Sequence, residues 1–505
     1  MKNRFVKLFV ILALSLSICF SFALTGCTDF TSSQSDVYVT SVTSSGANAL
    51  GESVFTVTYS DGTTDTFIVK NGTNGQNGAN GQDVTIDDIY AKYCEEVEQV
   101  TYQEFLAIYM GTVDTTPEAS TDLTKTVAKN LSSSIMIYGE FYYTTTTTNH
   151  WQGTTTTTTS LTLSSGSGVV YKITENYVYF MTNYHVVFYS SADKTLNPNG
   201  ISHKMSAYLY GSQDAPVDTG NVDEHDAAIL DYGNFAIPLE YVGGSIRHDI
   251  ALVKAPKDVV FAINPTITPI TFAEDYKVGE TVVAIGDTEG MGITVTQGIV
   301  SVYKESVGFA LDGTKRYYTV LRTDAAINHG NSGGGLFNAK GELVGITNGG
   351  HLNGTNSSGD DIPTAINYAL PCDIIKEVVE NMFYYEMDGN PDTMGAYVPK
   401  LGVTVLSGNP IYEYDPETSV GVLKSTIVVT EVSQTGVTYG NLQVDDILTA
   451  VTVDNRTFTI SSNDILGSAL MAIRPNSTVV FHYERDGVTG TWTCLFTADM
   501  ISAVE

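Results

Sequence analysis

Three short segments carry side chains that together could cut a peptide bond. Thr182-Asn183-Tyr184-His185-Val186-Val187 follows the apolar run Tyr177-Val178-Tyr179-Phe180-Met181. His248-Asp249-Ile250-Ala251-Leu252-Val253 opens a second apolar run, and Asn328-His329-Gly330-Asn331-Ser332-Gly333-Gly334 sets a serine among glycines. Singly each is ordinary, since a histidine after a strand is more often structural and an aspartate before one is usually a turn residue. As a set they describe nucleophilic catalysis. A serine hydroxyl is a poor nucleophile until a nearby base takes its proton. His185 is that base if a carboxylate fixes its tautomer and stabilises the imidazolium. Asp249, at the mouth of a buried strand, suits the carboxylate role. Gly330, Gly333 and Gly334 let the backbone turn sharply around Ser332 and aim N–H groups at one point. There they would stabilise the oxyanion of a tetrahedral intermediate.

The elements that must hold these residues are mostly strands. The 505 residues include 46 Gly, 30 Tyr and many Thr and Val, a composition that leans towards β structure. Apolar types make up 42%, which excludes a disordered acidic chain. Lys and Arg number 25 against 56 Asp and Glu, a net charge of −31. No basic stripe is left to neutralise phosphates, so nucleic acid is excluded as a partner. The same balance argues against a folded face adhering to anionic lipid.

Five segments follow along the chain. In residues 1–26, Lys2, Arg4 and Lys7 precede a short apolar core, which describes a secretion signal. Its end, Leu24-Thr25-Gly26-Cys27, resembles a bacterial lipoprotein box and implies lipidation at Cys27, a plain signal peptide or signal anchor being the alternative. Residues 27–85 read as a tether, a small β segment around Asp61-Gly62 and a Gly/Asn linker; four triplets from Gly72 without proline cannot hold a collagen helix. Residues 86–120 carry helical spacing at Ile89, Tyr93 and Val97. Residues 121–385 hold many short β-prone runs. Threonine blocks at 144–148 and 154–159 flank Asn149-His150-Trp151-Gln152-Gly153 and predict a long hairpin. A hydrophilic stretch near residues 388–393 separates this region from a second β-rich unit, 396–502.

No cofactor or metal is called for. Cys94, Cys372 and Cys494 are scattered and read as buried thiols. In the acidic insert at 188–240, Asp223, Glu224, His225 and Asp226 invite a metal reading, but adjacent acids in a loop are usually solvated.

The segments resemble those of the HtrA/Deg branch of the trypsin-like serine proteases. Thr323-Asp324-Ala325-Ala326-Ile327-Asn328 before the serine loop strengthens the likeness, as do Val278-Gly279-Glu280, Val283-Ala284-Ile285-Gly286, Thr294-Val295-Thr296-Gln297-Gly298-Ile299-Val300 and Gly341-Glu342-Leu343-Val344-Gly345-Ile346. The resemblance implies two six-stranded antiparallel barrels with the site in the cleft between them, within an all-β dominated chain. It implies His185 as general acid/base, Asp249 as its orienter, Ser332 as nucleophile and the amides of Gly330 and Ser332 as oxyanion hole. It places Ala326, Ile327 and Asn328 at the substrate pocket. With no carboxylate there, small or aliphatic P1 side chains are expected, because a basic one would be buried without a partner. Gly335 stands where relatives usually carry Pro or Ala, which should loosen that turn. Asn331 is uncharged, so no ion pair with a freed N-terminus can form.

Lys400-Leu401-Gly402-Val403 resembles the carboxylate-binding loop that opens a PDZ domain. Strand-like Ile427-Val428-Val429-Thr430-Glu431-Val432, a turn at Asp445-Asp446 and a helix over residues 464–473 fit the same domain, with an insertion at 405–426. Such a domain takes a C-terminal peptide by strand addition. The alternative is a packing module with a blocked groove. The resemblance thus implies a lipid-anchored, extracytoplasmic serine endopeptidase acting on unfolded or misfolded proteins, and by analogy a homotrimer. A polypeptide-binding pseudoprotease and an adhesive surface protein are the rivals.

Overall fold

The computed structural model of the chain describes residues 39–47, 53–59, 62–69 and 123–504 apart from 150, 152, 312, 356–360, 389–394, 409 and 416–419. The chain divides into two units, Met1–Thr115 and Thr116–Glu505. In the first, β1 (Val39–Ala47), β2 (Ser53–Tyr59) and β3 (Thr64–Val69) form an antiparallel sheet in sequence order. Gly62, at φ 82°, supplies the left-handed residue before β3. Cys27, the linker triplets, Cys94 and the expected helix at 86–120 lie outside the described residues.

The second unit opens with helix α1 (Thr124–Leu131). The first barrel is built from β4 (Ser134–Asn149), β5 (Thr154–Ile173), β6 (Tyr177–Thr182), β7 (Lys204–Leu209), β10 (Ile237–Ser245) and β11 (Ile250–Pro256). It closes in the order β10-β11-β6-β5-β4-β7. Helix α2 (Tyr184–Val187) leaves β6, and a side hairpin, β8 (Val217–Val222) and β9 (Ala228–Asp231), carries part of the acidic insert. Alternate residues point inward, as the two-residue period of a strand demands. Ile135 and Ile137, Val178 and Phe180, and Ala251 and Val253 meet in one core. The threonine blocks pair as expected, Thr148 with Thr155 and Asn149 with Thr154, in an uninterrupted register. This end of the hairpin projects beyond the barrel and is exposed.

After helix α3 (Lys257–Ile263), the second barrel uses β12 (Thr271–Phe272), β13 (Thr281–Asp287), β14 (Ile293–Ala310), β15 (Lys315–Thr323), β16 (Gly335–Asn338), β17 (Glu342–Thr355) and β18 (Asp361–Pro371). Pairing of β17 with β18 joins the ends of the path β17-β16-β13-β14-β15-β18 into a six-strand ring. Strand β12 adds to β17 in parallel, a pairing the purely antiparallel expectation did not contain. One core spans both barrels, joining Met181 and Leu252 of the first to Val283 and Ile346 of the second.

Helix α4 (Cys372–Glu386) lies against β10, β11, β17 and β18. Cys372, at its start, is buried, and burial pushes its thiol up to about 12, so it is inert at neutral pH. The C-terminal region comprises β19 (Tyr397–Pro399), β20 (Val403–Ser407), a hairpin of β21 (Ile411–Asp415) and β22 (Val420–Lys424), β23 (Ile427–Val432), β24 (Ile447–Val453), β25 (Arg456–Thr459), helix α5 (Asn463–Met471), β26 (Thr478–Arg485), β27 (Val488–Leu495) and β28 (Ile501–Ala503). Its main sheet runs β20-β23-β24-β26-β27, with β25 on β24, and the β21–β22 hairpin occupies the expected insertion. Ser462 caps α5 by accepting the Ile465 N–H. Asp445 sits at φ 71°, the left-handed turn conformation that aspartate tolerates. Helices α4 and α5 pack together, Asn381 Nδ2 donates to the Met471 carbonyl at 2.8 Å, and Arg456 pairs with buried Glu377.

Candidate active site

The antiparallel pairing of β6 with β11 sets Thr182 opposite Ala251, so the residues just beyond those two ends meet. One is His185 in the single turn of α2. The other is Asp249, 1% exposed and held at φ 51°. Its backbone carbonyl accepts from Tyr184 N at 3.1 Å and from Asn183 Nδ2 at 2.9 Å, which fixes the unusual conformation. The carboxylate faces the histidine twice. Oδ2 lies 2.8 Å from His185 Nδ1, and Oδ1 accepts the His185 backbone N–H at 3.0 Å. Asn348, on β17, donates its amide to Oδ2 at 2.5 Å.

Burial alone would pull the His185 imidazole down, but the Asp249 carboxylate outweighs it and holds the group above the ordinary histidine range. The protonated form is therefore favoured in the fold. The pair's contribution to stability is full below the unfolded histidine value, about 6.5, and is lost as pH rises through the raised one. A general base must be neutral, so if His185 serves as one, activity runs the other way. We expect kcat/KM for a peptide to climb with pH and level off at an apparent pKa above about 6.5. A rate profile from about pH 5 to about pH 9 reads this directly, and a plateau reached below the ordinary histidine value would contradict the pairing. His248 does not blur the profile, because burial and the Arg247 charge hold it near about 4.

The serine loop is keyed to the first barrel through Ser167. Ser167 N donates to the Ser332 carbonyl at 2.7 Å, Ser167 Oγ donates to the Gly330 carbonyl at 2.8 Å, and Asp287 N donates to Ser167 Oγ. Gly330 and Gly333 both adopt φ 88°. Thr347 closes the loop from the far side, taking the Gly333 N–H on its carbonyl and donating to the Gly334 carbonyl. Asn331 is buried and satisfied in place: with its amide oriented to its neighbours, it donates to the carbonyls of Gly286 and Asp287 and accepts from Asn328 N. Among the described residues, the N–H groups of Gly330 and Ser332 donate to no carbonyl or side chain. Ser332 Oγ donates to the Asn348 carbonyl at 2.9 Å, and no hydrogen bond joins it to His185 among the described residues. Asn348 thus touches Asp249 with its side chain and Ser332 with its backbone.

The other expected residues fall as follows. Ala326 and Asn328 are exposed beside the serine loop, whereas the Ile327 side chain is buried in the second-barrel core. Gly335 opens β16, and a Cβ there would run into the Phe337 ring, which accounts for glycine at a buried strand position. Leu401 is buried, Gly402 adopts φ 73°, and Val403 begins edge strand β20. The N–H groups of Leu401 and Gly402 donate to no described residue. In the acidic insert, the Asp223 carboxylate accepts from Tyr142 Oη at 2.6 Å and from the amides of His225 and Ala227, closing a turn. Sequence reasoning missed Asn348 and Ser167. The available signals were the polar pair Thr347-Asn348 ending an apolar run and a serine flanked by Gly166 and Gly168.

Residues 166–346 match the model of the trypsin-like peptidase domain. The chain is 28% identical over 334 residues to the serine protease Do-like HtrA of Lactococcus lactis subsp. lactis, covering 65% of this chain and 69% of that protein. It is 29% identical over 268 residues to the serine protease Do-like HtrA of Bacillus subtilis, 52% of this chain and 47% of that protein. The periplasmic serine endoprotease DegP of Escherichia coli is 37% identical over 146 residues, 28% of this chain and 27% of that protein. Among solved structures, the HtrA-type protease AlgW with decapeptide aligns over 74% of this chain and 98% of its own, at 20% identity and a TM-score of 0.43.

Proposed function

We propose that this chain is a serine endopeptidase of the HtrA/DegP type among the trypsin-like serine proteases, with Ser332 as the nucleophile, His185 as general acid/base and Asp249 as its orienter. The supporting observation is the doubly bonded Asp249–His185 pair beside a serine whose own N–H, like that of Gly330, has no partner among the described residues. In the reaction, Ser332 Oγ attacks the scissile carbonyl as its proton passes to His185 Nε2. The negative oxygen is received by the Gly330 and Ser332 amides, and His185 returns the proton to the leaving amine. Water then hydrolyses the acyl-enzyme by the same route.

The substrates are unfolded or misfolded polypeptides outside the cytoplasm, cleaved after small or aliphatic residues near Ala326 and Asn328. The C-terminal region acts as a PDZ-like domain, whose free Leu401 and Gly402 amides receive a peptide carboxylate while β20 offers its open edge. Cys27 carries the lipid anchor, and a homotrimer is the assembly. Among the described residues no helix is long and apolar enough to cross a membrane.

One observation favours a second reading, a polypeptide-binding protein without turnover: the Ser332 hydroxyl is engaged by the Asn348 carbonyl rather than by His185. A fluorophosphonate probe separates the two. Covalent labelling mapped to Ser332 by mass spectrometry, with or without an activating C-terminal peptide, is the expected result. Absence of labelling under both conditions assigns the chain to binding alone. Digests of an unfolded protein with cleavage after Lys or Arg outpacing Val or Ala would overturn the pocket assignment.

A further inference from the structure

Strand β5 pairs with β4 along its inner edge from Thr154 to Val169, but its outer edge changes hands. From Val169 to Ile173 that edge belongs to β6. At Ser167 it meets the nucleophile loop through the bond from Ser167 N to the Ser332 carbonyl. At Ser164 it touches the histidine turn, where Oγ donates to the Val186 carbonyl at 2.6 Å. Beyond this point no described residue pairs with the edge.

The register says which groups it presents. Along one edge of an antiparallel strand, alternate residues point both N–H and C=O the same way. Because Ser167 bonds outward and the β4–β5 register has no shift, Ser165, Leu163, Leu161, Thr159, Thr157 and Thr155 also face outward. The opposite strand confirms the parity. Glu140 and Tyr142, which pair with Leu163 and Leu161, use their outward carbonyls to accept from His203 N and Asp193 N. On β5, no hydrogen bond among the described residues reaches the outward backbone groups of those six residues.

Exposed strand edges normally carry a lysine, a proline or a bulge that prevents pairing. This one has none of them: from Phe141 to Tyr171 the chain contains no Lys, Arg, Asp, Glu or Pro, although its net charge is −31. A bare, uncharged edge bonds through backbone groups alone and so accepts an extended polypeptide of any sequence and either charge.

We infer that the outward edge of β5, from Ser165 to Thr155, binds an extended stretch of the substrate polypeptide by strand addition and leads it into the site at Ser332. The edge is continuous with the candidate cleft, since the strand that presents it is the strand bonded to Ser332. Ten residue steps of about 3.3 Å give a track about 33 Å long, far beyond the few residues that a catalytic cleft alone would hold. This rests on the reading of Ser332 as nucleophile and adds to it a second, sequence-independent hold on long unfolded chains.

The test is a double substitution, Thr157→Pro with Thr159→Pro. Both N–H groups point outward, so the β4–β5 ladder keeps its bonds while two edge donors are lost and two rings fill the track. Hydrolysis of a short chromogenic peptide should stay within about twofold, whereas KM for a reduced and alkylated unfolded protein should rise about tenfold or more. In a Ser332→Ala background, the same pair should weaken binding of the fluorescently labelled unfolded protein by a similar factor, a readout independent of turnover. An unchanged KM and unchanged binding for the unfolded protein, with the fold intact by circular dichroism, would overturn the inference. So would a collapse of the oligomer on sedimentation with per-site KM unchanged, which would give the edge to a second copy of the chain. If the wild type fails to cleave the short peptide, the nucleophile assignment falls, while the binding arm still decides the track.

Discussion

Asp249→Asn should lower kcat/KM for a short peptide by about 10⁴-fold near neutral pH while leaving the fold in place. The size follows from what surrounds the carboxylate. One oxygen accepts the His185 backbone N–H, and the other accepts from Asn348 Nδ2 and faces His185 Nδ1. Every neighbour is a donor, so an amide at this position must turn its NH₂ towards one of them. Against the backbone N–H it would face a donor that cannot rotate. Against Nδ1 it forces the imidazole into the other tautomer, with its proton on Nε2, where no proton can be taken from Ser332. The backbone survives because asparagine tolerates the left-handed φ of 51° about as well as aspartate does. The checks are steady-state kinetics beside a thermal melt. A loss of less than about tenfold with an unchanged melt would mean that Asp249 does not set the tautomer.

That pairing was legible because it depends on residue type and order. One buried apolar run leads up to His185 and another begins just after Asp249, and a two-residue period fixes which side chains face the barrel core. The threonine hairpin was legible for the same reason, since β-branched runs on both sides of a turn leave few other pairings. The roles of Asn348 and Ser167 were not legible. Each acts in part through a backbone carbonyl or amide, which carries no signature of identity, and in part through a side chain whose partners are distant in sequence. Their positions depend on the registers of β17 and β5, which long-range pairing sets. Ile327 shows the converse case. It stands between two surface residues, and only the packing of the second barrel turns its side chain inward. The seat of α5 against α4 and β15 likewise depends on small contacts, Asn381 to the Met471 carbonyl and Thr319 to Asp464, that no periodicity announces.

Gly333→Ala should cost about 10³-fold in kcat, although it leaves every proposed triad side chain in place. Gly333 adopts φ 88°, and a Cβ there would overlap the Ser167 carbonyl oxygen and Thr182 Oγ1. Those two atoms bond to each other at 2.7 Å and belong to adjacent strands of a closed barrel, so neither can retreat. The serine loop must move instead, breaking the bond from Ser167 N to the Ser332 carbonyl that seats it. The Gly330 and Ser332 amides lie within three residues of the added methyl and shift with it. Misplacing one such donor is worth about 10² to 10³ in rate. The same overlap should destabilise the protein by about 1–3 kcal/mol, which a denaturant midpoint would register. Backbone strain alone is separated from crowding by Gly313→Ala. Gly313 adopts a similar φ of 81° with nothing within 4 Å of an added Cβ, so that variant should keep its activity. A Gly333→Ala enzyme retaining more than about a tenth of wild-type kcat would show that the loop tolerates displacement, and the two amides would then lose their assignment as the oxyanion hole.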